Sequence, residues 1–600
     1  MEIGKGRKLS GGKGIRWFDW VIFAVLAIGC HLIFQQPDIT HTAGASFAYL
    51  NGHITDFYSY TNGTIGGCMY MPTTYIIFAI WNLPLKLLGI HSEVTMAHTF
   101  GVLMWYTLLP ILFYMGVTYL MWKVAREVGF GEKQARAAAY GFAASPLAFY
   151  SQFIFCQYDS MTLFFVMLGI YYYLKEDDFR FVLFFGIAIT CKYYALLVFV
   201  PMLLLRQKNV WRILFQTAGA GILFAAEFLF YLQDRSLREN MSDFNATSYI
   251  FNTGLDVSGF TWVSAVIVLW AVICAYSFFL EPGSRNETWK WFLYLESLVM
   301  FCLFGLSMWH PQWLIFAVPF MVFGSLMHKR TDVFWLLDLL TMVFFVWFVV
   351  RTWIASLDEN LLAGGVLNQL IADRYYAARM TDLPLYSNPS LNVAFSVISG
   401  ILLINGLFKH PKYMISEPQA EQDPQVGLMR LRFIGGISTY VVPCLLCLAV
   451  MLQSPYPDSN RISVAKTDDL ISMQNNEECH YLEQYMTPKW DTIERIDLCF
   501  GDREQDEGRI SLTFEDETTG EVLKELPITR ATVNSHRRTI FKFDPIPLQR
   551  DHVYKAVLSV GPVDDGYLDL YTVPWKTEGA PTFLDGIPQD FTASIVFYGR

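Results

Sequence analysis

Between residues 37 and 84, PDITHTAGASFAYLNGHITDFYSYTNGTIGGCMYMPTTYIIFAIWNLP gathers Asp38, His41, His53 and Asp56 among many aromatics, directly after a first apolar stretch. A carboxylate a few residues beyond a membrane exit is placed to meet an acceptor hydroxyl; the plainer role for Asp38 is a turn or helix-end aspartate after Pro37. His41, three residues on, shares a helical face with Asp38. His53 and Asp56, in NGHITDFY, suit turn and capping work as well as chemistry. Farther along, CQYDS holds Gln157 and Asp159 at the end of apolar sequence, where an ionisable group is costly and faces a cavity or a partner. An N-cap for the next helix is the competing role for Asp159, and the two are compatible. Lys192, in AITCKYYALL, has no charged neighbour in sequence. It calls for a buried partner or an anionic ligand, and a lipid phosphate would suit it. His310 and Gln312, in MWHPQWLIFAVPF, fall where a Trp-rich interfacial belt is the alternative account. Arg351, Arg374 and Arg379 in a late polar stretch could grip a phosphate or be solvated loop charges. Glu227, Glu296 and Asp338 are further carboxylates inside apolar segments.

The elements that must position these residues are membrane helices. Of 600 residues, 54% are hydrophobic and only 16% charged, too few charges for a soluble surface of this size. Stretches of the ~20 apolar residues needed to cross a bilayer recur from Phe18 to Leu452. After about residue 455 the composition turns polar, which divides the chain into a membrane domain, 1–455, and a second domain, 456–600. The basic N-terminal segment GKGRKLSGGKGIR, with no small-residue cleavage site after the first span, places the N-terminus in the cytoplasm. The net charge of −10 speaks against nucleic acid as a partner.

One topology puts every short basic connector on the cytoplasmic side. Its spans are 18–35, 97–122, 137–155, 161–174, 211–232, 261–280, 291–309, 313–327, 333–350, 391–408 and 433–452. The segment FVLFFGIAITCKYYALLVFVPMLLL is one span long yet flanked by two cytoplasmic-looking stretches, DDFR and RQKNVWR. A re-entrant helical hairpin turning near Cys191 and Lys192 resolves that conflict, provided that its irregular tip is enclosed by protein. The expectation is an α-helical polytopic protein of about eleven full spans plus one hairpin. A large first outer loop, 36–95, contains a helix near Tyr75–Leu88 lying at the interface between Pro72 and Pro84.

From Asp458 onward, alternating runs such as RISLTFED, TIFKFDP, YKAVLSVG and YLDLYTV are separated by turn residues. They predict an extracytoplasmic antiparallel β-sandwich of roughly seven or eight strands. Cys479 and Cys499 could pair in it; most other cysteines fall in spans as small apolar residues. There is no Walker motif, no dinucleotide-binding glycine fingerprint, no HExxH and no Cys/His zinc spacing.

In order, the first-loop aspartate, Tyr70-Met71-Pro72, Gln157-Tyr158-Asp159-Ser160, Thr190-Cys191-Lys192 and His310-Pro311-Gln312 resemble the GT-C glycosyltransferases. More narrowly they are similar to bacterial members related to polyprenyl- or dolichyl-phosphate-sugar-dependent mannosyltransferases. The resemblance covers about Trp17 to Lys412. It implies transfer of mannose or another hexose from a lipid-phosphate donor to an extracytoplasmic glycan, lipid or protein, with inversion, in a bacterial plasma membrane. On that basis Asp38 is the general base. Gln157 and Asp159 orient substrates, with His41, Asp56, Tyr70 and Gln312 beside them, and Lys192, His310 and a late-loop arginine such as Arg374 hold the phosphate end. The single aspartate of QYDS gives no acidic pair for a tightly held ion, although Mg²⁺ or Mn²⁺ could assist. Two rival classes fit the same composition. One is a transporter or flippase of lipid-linked sugars, which would carry charges along a path between both faces; the other is a non-catalytic subunit of an envelope glycan machine.

Overall fold

The computed structural model describes residues 17–34, 38–95, 98–243, 249–257, 259, 261–352 and 388–418, and isolated positions between 428 and 445. In the C-terminal part it describes 470–475, 480–488, 490–504, 510–528, 538–561, 566–573 and 581–599. The chain divides into two compact units, one holding the described helices and the other the C-terminal strands. Arg374 and Arg379, and Cys479 with the disulfide expected of it, lie outside the described residues.

The helical unit starts with α1, Trp17–Ile33, followed by three short helices, α2 (Ile39–Ala45), α3 (Phe47–Leu50) and α4 (Phe57–Asn62). Next comes α5, Pro72–Leu87, opened by a proline whose missing N–H is an orphan of the first turn in any case. At 16 residues α5 is about 24 Å long, short of a full crossing. Its buried face holds Tyr75, Phe78 and Asn82. Asn82 Nδ2 donates to Ala43 O and Ser46 Oγ, both at 3.1 Å, and so ties α5 to α2.

Long helix α6, Phe100–Val128, packs on α9, Asp159–Leu174. Between them the expected span 137–155 is two pieces, α7 (Glu132–Ala143) and α8 (Pro146–Phe149), then a π-turn at Tyr150–Ile154. The break is a proline effect: Ser145, before Pro146, is forced to extended backbone at φ −69°, ψ 126°.

The segment expected to be re-entrant folds as a helical hairpin. Helices α10 (Asp178–Cys191) and α11 (Ala195–Arg206) are joined by Lys192, Tyr193 and Tyr194. The hairpin closes at its base, where Arg206 pairs with Asp178 and donates to Tyr173 O at 2.6 Å. Phe199 packs on Phe181 and Phe185, with ring centroids 5.1 and 5.3 Å apart. Lys192 ends α10 because its backbone swings to φ −152°, ψ 117°. The tip is enclosed: Thr74 Oγ1 at the start of α5 donates to Cys191 O at 3.4 Å.

The remaining helices are α12 (Val210–Phe230), α13 (Arg235–Asp243), α14 (Ala265–Phe279), α15 (Arg285–Gly305), α16 (Val318–Met327), α17 (Thr331–Thr352) and α18 (Asn388–Phe408). A small hairpin, β1 (Gly254–Val257) and β2 (Thr261–Ser264), precedes α14. Among the described residues four helices, α6, α12, α17 and α18, are long and apolar enough to cross a membrane unaided. Shorter apolar helices occupy Trp20–Ile33, Asp159–Leu174, Ala195–Arg206, Ala265–Phe279 and Pro311–Met327. Hydropathy registers apolar length, whereas Pro146, Pro311 and Pro319 cut that length into shorter helices.

The C-terminal unit carries two antiparallel six-stranded sheets. One has the order β12 (Ile587–Pro588), β11 (Thr582–Leu584), β4 (His480–Met486), β9 (Tyr554–Val560), β6 (Ile510–Asp516), β7 (Glu521–Ile528). The other joins β13 (Thr592–Ala593), β10 (Gly566–Val573), β5 (Thr492–Glu504) and β14 (Ile595–Gly599). β3 (Leu470–Asn475) pairs with β10 and β8 (Arg538–Pro547) with β5. Alternate residues of both sheets, Leu512 and Phe514 of β6 with Ile496 and Leu498 of β5, share one apolar core. The twelve described strands exceed the seven or eight expected, because the last four are only two to five residues long and carry no periodic signal.

Candidate active site

Asp38 opens α2 but does not cap it: no backbone N–H of that helix reaches the carboxylate. The carboxylate instead accepts from Gln157 Nε2, across 119 residues of sequence. Solvent reaches Asp38, yet the protein around it is dense. Desolvation therefore pushes its pKa above the ordinary carboxylate value, against the pull of His41, the Gln157 hydrogen bond and the Lys192 charge. His41 lies on the first turn of α2, as the three-residue spacing required, and burial lowers its pKa. At neutral pH the ring is thus a neutral donor or acceptor beside Asp38.

Gln157 is held by an unusual stretch of backbone. After the π-turn, Cys156 adopts φ +58°, a left-handed conformation that a non-glycine residue takes only when its surroundings over-determine it. Cys156 N donates to Ser151 O at 3.0 Å, and Ser151 Oγ donates to Gln312 O at 2.9 Å. Gln312 thus contributes its main chain to this scaffold, while its side-chain Oε1 is buried without a partner.

Two residues on, Asp159 forms a buried ion pair. The carboxylate is wholly buried, and its Oδ1 takes Lys192 Nζ at 2.7 Å and Tyr194 Oη at 3.1 Å. Oδ2 is buried with no partner. Lys192 is the buried lysine anticipated, and Asp159 is the partner its burial requires. Its ammonium also lies over the rings of Tyr158, 4.7 Å from the centroid, and Tyr70, 5.5 Å away. The helix-cap account of Asp159 is not what the geometry shows: Tyr158 occupies the N-cap position, and Asp159 is the first residue of α9. A carboxylate there still benefits from the helix dipole.

His310 precedes the 3₁₀ turn Pro311–Phe316 and packs on Trp313, with ring centroids 4.7 Å apart. Burial, reinforced by the Lys192 charge, drives its pKa down to about 4, so the imidazole is neutral at physiological pH. As a neutral ring it can donate a hydrogen bond to a phosphate oxygen but cannot supply charge.

Asp56 sits in a local pair. It is exposed and bonded to His53 Nδ1 at 3.0 Å, and His53 stacks on Tyr60 at 3.6 Å. That local pair is the turn role its sequence allowed, and no contact joins it to Asp38, Asp159 or Lys192 among those described.

Three further residues belong to the site. Tyr158 and Tyr194 flank the motif residues Asp159 and Lys192 in QYDS and CKYY, so adjacency was a usable signal. The third, Asp234, holds the first loop in place by accepting from Tyr58 N, Ser59 N and Ser59 Oγ at 3.1, 3.2 and 2.6 Å. Its sequence gave no such sign. Among the described residues no three His, Cys, Asp or Glu side chains converge as a metal site, and the carboxylates of Asp38 and Asp159 are already engaged.

No family model and no curated protein matches the sequence. Among solved structures the chain is similar to the crystal structure of ArnT from Cupriavidus metallidurans bound to undecaprenyl phosphate. The likeness covers 73% of this chain and 77% of that one, at 13% identity and a TM-score of 0.37.

Proposed function

We propose that this chain is an integral membrane glycosyltransferase that moves a sugar, mannose or another hexose, from a polyprenyl-phosphate donor to an acceptor hydroxyl on the extracytoplasmic side. One observation carries the reading. A single two-residue step, from Gln157 to Asp159 at the start of α9, binds both a solvent-reachable carboxylate, Asp38, and a buried ammonium, Lys192. A base and a cationic site are therefore fixed side by side.

In the reaction the acceptor oxygen forms a bond to the sugar's anomeric carbon and loses its proton to Asp38. The bond from that carbon to the phosphate oxygen breaks, and polyprenyl phosphate leaves with the electron pair. Attack opposite to departure inverts the configuration. A base so placed is worth ~10²–10⁴-fold. Its pKa, raised by desolvation, strengthens it as a proton acceptor once it is ionised. The phosphate leaving group is a stable anion and needs positive charge more than an acid, which Lys192 supplies in a low-dielectric interior with neutral His310 as an additional donor. The C-terminal sheets are proposed to lie outside the cell.

The test uses purified protein in nanodiscs with a panel of polyprenyl-phosphate sugars. Release of free polyprenyl phosphate is followed by mass spectrometry for wild type and Asp38→Asn. Donor-dependent release that the variant loses supports the reading. Donor binding without release, in the presence of candidate acceptors, would move the assignment to transport or assembly.

A further inference from the structure

A recess lies beside the Tyr70–Thr74 segment, whose Tyr70 ring faces Lys192 and whose Thr73 hydroxyl meets Glu227. It is a cleft of about 530 Å³ between α5 and the end of α12. Its walls are apolar, including Leu50, Ile76, Ala79, Ile80, Leu83 and Phe230, and contain no cationic side chain. Glu227 interrupts them. One oxygen of that carboxyl takes the Thr73 hydroxyl, and the other, Oε2, is buried with no partner. Two phenols lie beside it: Tyr49 and Tyr231 are hydrogen-bonded at 3.0 Å, and Tyr231 Oη reaches Ile54 O at 2.5 Å.

The polar end of the cleft sits where a membrane surface should be. Glu227 is in the last turn of α12, a helix long enough to span, and the chain that follows grips the first loop through Asp234. A cleft with an apolar body and a polar end at that level has the form of a lipid site. Charge then decides which lipid. An anionic head would meet a carboxyl and two phenols with nothing to neutralise it, whereas a hydroxyl-bearing uncharged head donates to Glu227 and exchanges bonds with the phenols. The phosphate-bearing donor has its counter-charge elsewhere, at Lys192.

We infer that the α5/α12 cleft binds an uncharged, hydroxyl-bearing membrane lipid of the glycosyl-diacylglycerol class, its chain along Ile76, Ile80 and Leu83 and a head-group hydroxyl on Glu227. Resting on the transferase reading, this makes the acceptor a lipid held beside the Tyr70–Thr74 segment. Glu227 is then an acceptor-binding residue, distinct from the base.

The probe is monoglucosyl-diacylglycerol, added with phosphatidylglycerol to phosphatidylcholine nanodiscs holding the full chain; lipid retained on the released protein is measured by native mass spectrometry. Wild type is expected to retain the glycolipid over phosphatidylglycerol. Glu227→Gln, which turns one carboxyl oxygen into an amide donor, should reduce that preference roughly tenfold. Ile80→Trp, at a 69% exposed position that tolerates bulk, should fill the cleft and abolish retention. Equal retention in all three proteins, or a wild-type preference for phosphatidylglycerol, means ordinary boundary lipid and overturns the inference. Binding of a polyprenyl-phosphate sugar is measured in the same preparations. If the donor binds and the glycolipid does not, the cleft assignment alone fails; if neither binds, the transferase reading fails with it.

Discussion

Replacing Lys192 with methionine removes the ammonium that neutralises Asp159, whose carboxylate is wholly buried; the lysine side chain itself is only 4% exposed. The contact is 2.7 Å, and Tyr194 Oη is the one other donor bonded to that carboxylate among the described contacts. Removing one partner of such a pair costs about 3–5 kcal/mol, because the desolvated charge left behind has only a neutral hydroxyl to face. Asp159→Asn strands Lys192 and costs a similar amount, part of it offset by the Tyr158 and Tyr70 ring faces at ~0.5–2 kcal/mol. The double variant strands neither charge and should lie within about 1–2 kcal/mol of wild type, since apolar replacement of a buried pair is often nearly neutral. Equilibrium unfolding in mixed detergent micelles measures all four corners of the cycle. Single-variant losses under about 1 kcal/mol, or a double variant as unstable as the sum of the singles, would refute a desolvated pair. Donor binding separates stability from function: the double variant should be folded yet should not bind a polyprenyl-phosphate sugar, having lost the counter-charge.

Other expectations follow from the same geometry. Activity should fall as pH drops through the raised pKa of Asp38, because the base must be ionised; a pH–rate profile whose acid limb lies below the ordinary carboxylate range would contradict the desolvation argument. Gln157→Glu replaces the donor to Asp38 with a second carboxylate, which disfavours ionisation, so the acid limb should move to higher pH; an unmoved limb would show that the contact does not tune the base. His310→Gln keeps a neutral donor where the native imidazole titrates only near pH 4, so it should leave the profile unshifted between pH 5 and pH 8, as read in the same assay. Gly169→Leu tests how α9 and α10 hold the site. A Cβ there would stand 2.5 Å from the Phe185 ring, which Phe181 and Phe199 wedge in place, so overpacking should cost ~1–3 kcal/mol of stability and loosen the Asp159–Lys192 contact, seen as weaker donor binding.

Local chemistry made much of this molecule readable from its sequence. The hairpin at Lys192 followed from a span-length apolar run with cytoplasmic-looking flanks on both sides, and the C-terminal strands from period-two alternation whose inward residues, such as Leu512 and Phe514, do form the core. The cost of burying Lys192 announced that it must have a partner, and the nearness of His41 to Asp38 followed from helical spacing. Long-range pairing was not readable. That Lys192 meets Asp159 across 33 residues, that Gln157 meets Asp38 across 119, and that Glu227 meets Thr73 across 154 depends on how α5, α9, α10 and α12 pack. Apolar periodicity says which face of a helix is buried, not which neighbour covers it. The same limit explains Asp56, whose residue type suited the site but whose short turn gave it His53 first, and the spans shortened by proline, where hydropathy counted apolar residues and backbone sterics set the helix length. Sequence determined which groups had to find partners in a low-dielectric interior; the tertiary packing decided which partners they found, because only packing brings segments far apart in the chain within hydrogen-bond reach.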